Sequence, residues 1–282
     1  MRPILLELGP LQIHAYGFAL ALSFLLGSFW ISSRGRRRGL REDDLSRLFF
    51  WVLASALIGS RIYYALQHPE DFAGDWLGIF RIWRGGLSQH GGILGAIVMA
   101  WIFVRSRGWS FREIADLAAP VIALGEGITR LGGCFLAGCC HGVPTEWACG
   151  VAYPEGSPAY HLWGAVHVHP SPLYLAAGNI LLFLTLARLH PRLIGTGRLF
   201  ALYLVGSSVI RFIVDFSRYY ADGDRFTVLG LELTHSQWIG IPLTFLAIGL
   251  WLRPRRVRTP DGQTVLDRAP SEAGETSRDR GH

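Results

Sequence analysis

His90 lies where a glycine-rich loop, segment 83–95, leads into a strongly apolar run. An ionisable side chain at the mouth of a transmembrane helix is costly to keep there, and such residues usually serve a function. Because an imidazole exchanges protons near neutral pH, it is well suited to act as a base. We predict that His90 is catalytic, and the alternative is a hydrogen-bonded histidine at the membrane interface.

Several more charges lie inside or beside the apolar runs. A guanidinium fork matches the oxygens of a phosphate through two parallel hydrogen bonds. We therefore predict a cationic site for an anionic phospholipid headgroup, with Arg130 and Arg211 stabilising charge as a bond to phosphate breaks. The charged residues in or near the runs are Arg61, Glu126, Arg130, Arg211, Asp215 and Arg218.

The spacing of these charges leaves a structural alternative open. Arg211 and Asp215 are four residues apart, as are Glu126 and Arg130, so each pair shares one helical face and can form an ion pair within its helix. Under that hypothesis Arg61 and Arg218 extend their guanidinium groups to the membrane–water interface.

Four cysteines, Cys134, Cys139, Cys140 and Cys149, fall within sixteen residues, and several histidines follow. Disulfides are the first expectation for a loop on an oxidising side, with Cys139 and Cys140 pairing with the other two. A structural metal site of cysteine and histidine ligands is the rival, although the spacing matches no standard zinc module. A catalytic thiol at Cys139 is a third hypothesis. We expect no metal and no cofactor.

Composition predicts an all-α polytopic membrane protein. Half of the 282 residues are hydrophobic and 17% are charged, with a mean hydropathy of +0.30. A span needs about 20 mostly apolar residues, which predicts one transmembrane domain over 1–252 and a polar, disordered tail over 253–282. The seven predicted spans are roughly 11–31, 45–66, 88–104, 114–131, 172–188, 199–217 and 235–252.

The basic residues predict the orientation of these spans. All 27 are arginines, and they crowd the first, third and fifth connections and the segment after the last span. Positive charge marks cytoplasmic loops, so we predict an outward N-terminus, a cytoplasmic C-terminus and charged span residues near the outward ends. Anionic lipid headgroups account for the net charge of +6, and we expect no nucleic acid partner.

An ordered set of motifs resembles the prolipoprotein diacylglyceryl transferases over about residues 9–252. These are integral enzymes of the bacterial inner membrane that move diacylglycerol from phosphatidylglycerol onto the lipobox cysteine of a prolipoprotein. The resemblance implies functional roles for Tyr16, His90, Arg130 and Arg211, and it places Asp215 where the family has a glutamate. The motifs are Gly9-Pro10, His14-Ala15-Tyr16-Gly17, Gly59-Ser60-Arg61-Ile62, segment 82–92, Arg130-Leu131-Gly132, segment 169–174 and segment 211–218.

This chain departs from one family signature. After its arginine the family has Gly-Asn-Phe-x-Asn-Gly-Glu. If one glycine is inserted, Cys134 and Ala137 replace the two asparagines and Cys139 replaces the glutamate. We predict substrate-binding roles for a set that includes this last position: Tyr16, Arg61, Asp215, Arg218 and Cys139.

The predicted function is diacylglyceryl transfer from phosphatidylglycerol to the cysteine thiol of prolipoprotein signal peptides, which releases glycerol phosphate, by a multi-pass protein of the inner membrane. One alternative is a divergent member acting on another lipid or acceptor. A second is a non-enzymatic protein that binds or transports anionic lipid, and a third is a thiol redox or metal protein. The sequence leaves the acceptor, the cysteine pairing and the oligomeric state open.

Overall fold

The computed structural model describes residues 4–8, 11–81, 85–220, 225–228, 231–252, 256–258 and 264–266. A long helix lies at each of the seven predicted apolar stretches, and a short helix, α5, follows the cysteine-rich loop. The helices are α1 (Ala15–Arg36), α2 (Glu42–Gln67), α3 (Gln89–Ser106), α4 (Phe111–Thr129), α5 (Pro158–Trp163), α6 (Ser171–Leu193), α7 (Arg198–Asp215) and α8 (His235–Leu252).

Three of these helices, α1, α2 and α6, are long and apolar enough to cross a membrane, and Ser236–Leu252 is a shorter apolar helix. The mainly helical character of a membrane protein is therefore confirmed. The count of seven spans and the orientation of the termini remain predictions.

Short antiparallel strand pairs accompany the helices, which the all-α prediction did not include. Residues 11–14 were assigned to the first span but form a strand, and their alternation of apolar and polar residues fits that structure. The pairs are β1 (Ile4–Leu8) with β2 (Leu11–His14), β3 (Val151–Ala152) with β4 (His167–Val168), β5 (Arg225–Val228) with β6 (Leu231–Thr234), and β7 (Arg256–Arg258) with β8 (Thr264–Leu266).

The last strand pair lies within the predicted disordered tail, 253–282. Its two strands, β7 and β8, are the parts of the tail that the structure describes, and the remainder lies outside the described residues. The motif residues 9–10 and 82–84 also lie outside them. Disorder over the tail therefore stays a prediction.

The chain divides into two compact units, of which Ser28–Ile114 is one. Inside this unit α2 and α3 pack closely through small residues. A Cβ on Gly59 would lie 2.5 Å from the Gly91 carbonyl oxygen, a distance that real Cβ atoms do not reach. One turn further along, the Ser55 hydroxyl donates to the Gly95 carbonyl at 2.9 Å. Small residues four apart, here Gly91 and Gly95, permit such close contact between membrane helices.

The other unit comprises Met1–Gly27 and Ala115–His282. Its core includes Ala119, Leu186 and Leu199 from α4, α6 and α7, all 0–1% exposed. The start of α7 is fixed by the fully buried Asp116, whose carboxylate accepts from the backbone N–H of Gly197 at 2.8 Å and from that of Phe200 at 2.9 Å. A carboxylate there satisfies unpaired donors and complements the helix dipole.

Candidate active site

Helix α4 runs directly into one π-helical segment, Arg130–Phe135. Such wide turns are rare and occur frequently at functional sites. Gly132 and Gly133, where the sequence predicts one inserted glycine, lie in this segment, and a widened turn of this kind can take up an added residue. Tyr16, near the start of α1, packs on it: a Cβ on Gly133 would lie 2.6 Å from Cδ2 of the tyrosine ring.

The chain after this segment folds back and brings three thiols together. Gly138 has φ +69°, and the backbone N–H of Cys139 donates to the Cys134 carbonyl at 3.1 Å. Cys140 has φ +59°, a region that residues other than glycine rarely adopt. As a result the sulfur atoms of Cys134, Cys139 and Cys140 all lie within 4.8 Å of one another.

All four cysteines are free in the structure, so the expectation of disulfides is wrong. Cys149 was predicted to pair with a member of the cluster. It is exposed, and its sulfur lies 3.1 Å from the Tyr174 hydroxyl. The fold of the turn explains the difference, because it draws Cys139 and Cys140 back toward Cys134.

Arg130 lies against this thiol cluster. Its Nη1 donates to the sulfur of Cys134 at 3.4 Å and to that of Cys140 at 3.7 Å. Glu126, the expected ion-pair partner, instead accepts a hydrogen bond from the Tyr203 hydroxyl at 3.0 Å. It remains within electrostatic reach of both Arg130 and Arg211.

Arg218, from another part of the chain, acts electrostatically on Cys140. The backbone N–H of Val143 donates to the Ser217 carbonyl at 3.1 Å, which aligns the two segments. Arg218 Nε and Nη1 are buried and have no hydrogen-bond partner within the part of the chain that the structure describes. Its guanidinium carbon lies 5.1 Å from the centre of the Tyr220 ring.

These charges act on the ionisation of the cluster. Hydrogen bonds from the Cys134 and Cys139 thiols, together with the positive charges of Arg218 and Arg130, hold the pKa of Cys140 well below its ordinary value. Hydrogen bonding with Cys134 and Cys140, together with burial, raises the pKa of Cys139. Within the cluster, negative charge is therefore most favourable on Cys140, beside the two guanidinium groups.

Arg211 and Asp215 form the ion pair of the structural alternative, with Nε 3.0 Å from the carboxylate; the catalytic role of Arg211 stays a prediction. Asp215 is 1% exposed and also accepts from the hydroxyls of Tyr220 at 2.7 Å and Thr234 at 2.9 Å. Arg211 Nη2 donates to the hydroxyls of Tyr220 and Ser236 at 3.1 and 3.0 Å. The pair therefore joins α7 to the segments around β6 and α8.

In the unit Ser28–Ile114, Arg61 holds a loop in place. Its guanidinium donates at 2.6–2.8 Å to the carbonyls of Gly78, Ile79, Gly85 and Gly86. Four of its five N–H donors are thus bound to the backbone. This engagement favours a positioning role, in which Arg61 organises the loop that precedes α3.

His90 is the second residue of α3 in the same unit, and its side chain is exposed. Its ring centre lies 6.3 Å from that of Tyr63. The backbone before it is tied to α2, because the N–H of Ser88 donates to the Ser60 carbonyl at 3.0 Å. An exposed imidazole on a fixed helix end is accessible to a substrate.

Sequence reasoning missed Tyr153 as part of the site. It is 3% exposed, and its hydroxyl has no hydrogen-bond partner among the residues with described positions. Burial, reinforced by the nearby cysteines, raises the pKa of Tyr153 to about 12. No motif surrounds this tyrosine, so only its packing against the cluster reveals it.

These features define a helical membrane protein in which Arg130 and Arg218 act on a cluster of three thiols. A family model described as prolipoprotein diacylglyceryl transferase matches residues 3–253. The chain belongs to the prolipoprotein diacylglyceryl transferase family, which is a family of transferase enzymes.

Three relatives illustrate the similarity, and each carries the name phosphatidylglycerol--prolipoprotein diacylglyceryl transferase. The protein of Methylibium petroleiphilum is 33% identical over 262 residues, covering 89% of this chain and 95% of the relative. That of Bordetella bronchiseptica is 33% identical over 260 residues, covering 89% and 94%. That of Chromohalobacter salexigens is 31% identical over 264 residues, covering 93% and 95%.

Proposed function

We propose that this protein transfers the diacylglyceryl group of phosphatidylglycerol to the lipobox cysteine thiol of prolipoproteins and releases glycerol phosphate. Membership of the family and the names of its relatives support the reaction. The observation in the site that carries the proposal is that Arg130 and Arg218 both act on Cys140, and that two buried nitrogen atoms of Arg218 have no hydrogen-bond partner among the described residues. Two guanidinium groups, one with free donors, are suited to a lipid phosphate.

In the proposed reaction the acceptor thiol is deprotonated, and its sulfur attacks the glycerol carbon of the diacylglyceryl group. A carbon–sulfur bond forms as the carbon–oxygen bond to phosphate breaks, and the electron pair goes to the leaving phosphate. Arg130 and Arg218 bind that phosphate and stabilise its growing charge. His90 is assigned to accept the thiol proton.

The other members of the predicted site receive supporting roles. Arg211 and Asp215 position the end of α7, from which Arg218 follows, and Arg61 positions the loop before His90. Tyr16 packs on the widened turn that carries Arg130, so we assign it to shaping the lipid site. Cys139, at the place of the family glutamate, is assigned to substrate binding beside Arg130.

We further propose seven spans, an outward N-terminus, a cytoplasmic C-terminus and residence in the bacterial inner membrane. The arginine-rich connections support the orientation. Under it, the charged residues of the site lie at headgroup depth on the outward side, where a phosphatidylglycerol head and a signal-peptide cysteine are both accessible.

Complementation of a bacterial strain depleted of its own transferase tests the reaction. We expect the wild-type chain to restore lipoprotein maturation, whereas His90→Ala and Arg130→Ala do not. Cys149→Ser is the matched control, since this exposed cysteine lies outside the thiol cluster, and it should behave as wild type.

Purified protein with phosphatidylglycerol vesicles and a lipobox peptide separates transfer from binding. A mass increase of one diacylglyceryl group on the peptide cysteine is expected. If a well-expressed wild-type chain neither rescues the strain nor modifies the peptide, the substitutions in the signature have changed the reaction. Binding of phosphatidylglycerol without transfer would instead indicate a lipid-binding protein.

A further inference from the structure

The spacing of the three clustered sulfur atoms is close to that required around one metal ion. Those of Cys134, Cys139 and Cys140 lie within 4.8 Å of one another. Two sulfurs that bind one ion at about 2.3 Å lie about 3.8–4.0 Å apart. Small rotations of the cysteine side chains therefore bring all three into bonding range. Thiolates are the ligands that select soft metal ions.

The backbone is strained where it brings the three sulfur atoms together. Among the described residues, Cys140 is the one that has a positive φ (+59°) without being a glycine. A left-handed conformation is disfavoured for such a residue, and where it persists it often marks a functional site. Diacylglyceryl transfer makes no use of three sulfurs together, so it does not account for this conformation.

The surroundings favour a singly charged ion. Arg130 donates to the sulfurs of Cys134 and Cys140, and the charge of Arg218 also acts on Cys140. Two guanidinium groups stabilise thiolates but repel a second positive charge on a metal. Among the described residues the cluster offers three ligands, whereas zinc usually takes four. Copper(I) matches the soft ligands and the lower charge.

Tyr153 supplies an outer contact for such a site. Its hydroxyl is buried and unpartnered within the described ranges, and it interacts electrostatically with all three cysteines. A donor of this kind beside a ligand sulfur orients the ligand and stabilises its negative charge.

We propose that Cys134, Cys139 and Cys140 form a three-sulfur binding site for one copper(I) ion. This is a role beyond lipid transfer, and it does not depend on that activity. Binding deprotonates the thiols that are still neutral and releases their protons to solvent.

Competition with a chromogenic copper(I) chelator tests the proposal. The full chain, purified in detergent and kept reduced without oxygen, is titrated with copper(I) in the presence of bathocuproine disulfonate. The wild-type protein and Cys149→Ser should each withdraw one equivalent from the chelator. Cys139→Ser and Cys140→Ser should fall to the level of the variant with serine at all three cluster positions. Gel filtration shows which variants remain folded.

Three results would overturn the proposal. The wild-type chain withdraws no more copper than the triple-serine variant, Cys149→Ser loses binding as completely as Cys140→Ser, or zinc(II) binds at one equivalent while copper(I) does not. None of these measurements requires lipid or acceptor. Failure of the transferase proposal in complementation therefore leaves the result interpretable.

A second measurement uses only the wild-type chain, in case the cluster variants do not fold. N-ethylmaleimide labelling followed by peptide mapping gives the alkylation rate of each cysteine. Copper(I) should slow the labelling of Cys139 and Cys140 at least tenfold and leave that of the exposed Cys149 unchanged. Equal rates with and without copper would refute three-sulfur binding.

Discussion

Replacing Arg218 by methionine should abolish most activity without destabilising the protein. Nε and Nη1 of this arginine are buried without hydrogen-bond partners in the described structure. A hydrogen bond to a charged group contributes about 1.5–3 kcal/mol. Two such bonds to a lipid phosphate, taken at the lower bound because the side chain is half-buried, contribute about 3 kcal/mol. The loss corresponds to about a hundredfold decrease in kcat/KM.

The same substitution, Arg218→Met, should not lower the free energy of unfolding. A buried donor without a partner costs about 1–3 kcal/mol, and methionine removes two of them while keeping most of the apolar volume. The lost contact with the Tyr220 ring offsets about 0.5–1 kcal/mol of this gain. The free energy of unfolding should therefore stay level or rise slightly.

Arg211→Met is the matched comparison. It leaves the buried Asp215 carboxylate without its ion-pair partner, and breaking a buried pair costs about 3–5 kcal/mol. The assays are transfer of label from phosphatidylglycerol to a lipobox peptide and unfolding by denaturant in mixed micelles. The reasoning about Arg218 is refuted if Arg218→Met unfolds as readily as Arg211→Met, or if it keeps full activity in a folded state.

Three further predictions concern packing, capping and pH. Gly91→Ala should lower the free energy of unfolding by about 1–3 kcal/mol, because the added methyl group overlaps the Gly59 backbone and overpacking has that cost. Gly92→Ala should be close to neutral, since the nearest atom to its added Cβ would lie 3.5 Å away. Equal denaturation midpoints for the two variants would contradict the packing argument. Asp116→Ala should lower the free energy of unfolding by about 2–4 kcal/mol in the same assay, since it leaves two N–H groups at the start of α7 without their acceptor. An unchanged denaturation midpoint would count against this capping role of Asp116. The lowered pKa of Cys140 means that its thiol ionises at lower pH than a free cysteine. Its alkylation rate by iodoacetamide should therefore rise less steeply from pH 6 to 8 than that of free cysteine, whose pKa of about 8.5 gives a rise of about tenfold per pH unit. A rise for Cys140 parallel to that of free cysteine would contradict the lowered pKa.

The helices were predictable because hydropathy alone marks them. Each predicted apolar stretch contains a long helix, and the ion pair between Arg211 and Asp215 follows directly from their spacing on α7. The same rule failed for Glu126 and Arg130. A spacing of four places two side chains on one face, but the nearby Tyr203 hydroxyl and the sulfurs provide other partners.

The cysteine arrangement was not predictable, because it depends on two unusual turns. A π-helical segment and a left-handed Cys140 bring residues 134, 139 and 140 together, and neither feature has a hydropathy signal. Arg61 shows the same limit: its type and position suggested phosphate binding, while its partners are backbone carbonyls of a loop. Where a charged side chain finds its partners is decided by loop conformation, which sequence periodicity does not specify.

The wide turn at Arg130–Phe135 also bears on how this chain compares with its relatives. One extra residue in a regular α-helix would rotate every later side chain by about 100° around the axis. If a widened turn takes up the added residue, the residues after the turn keep their orientation. We therefore expect Cys139 to lie at the place of the glutamate in the family signature, so that this member differs there by one chemical group.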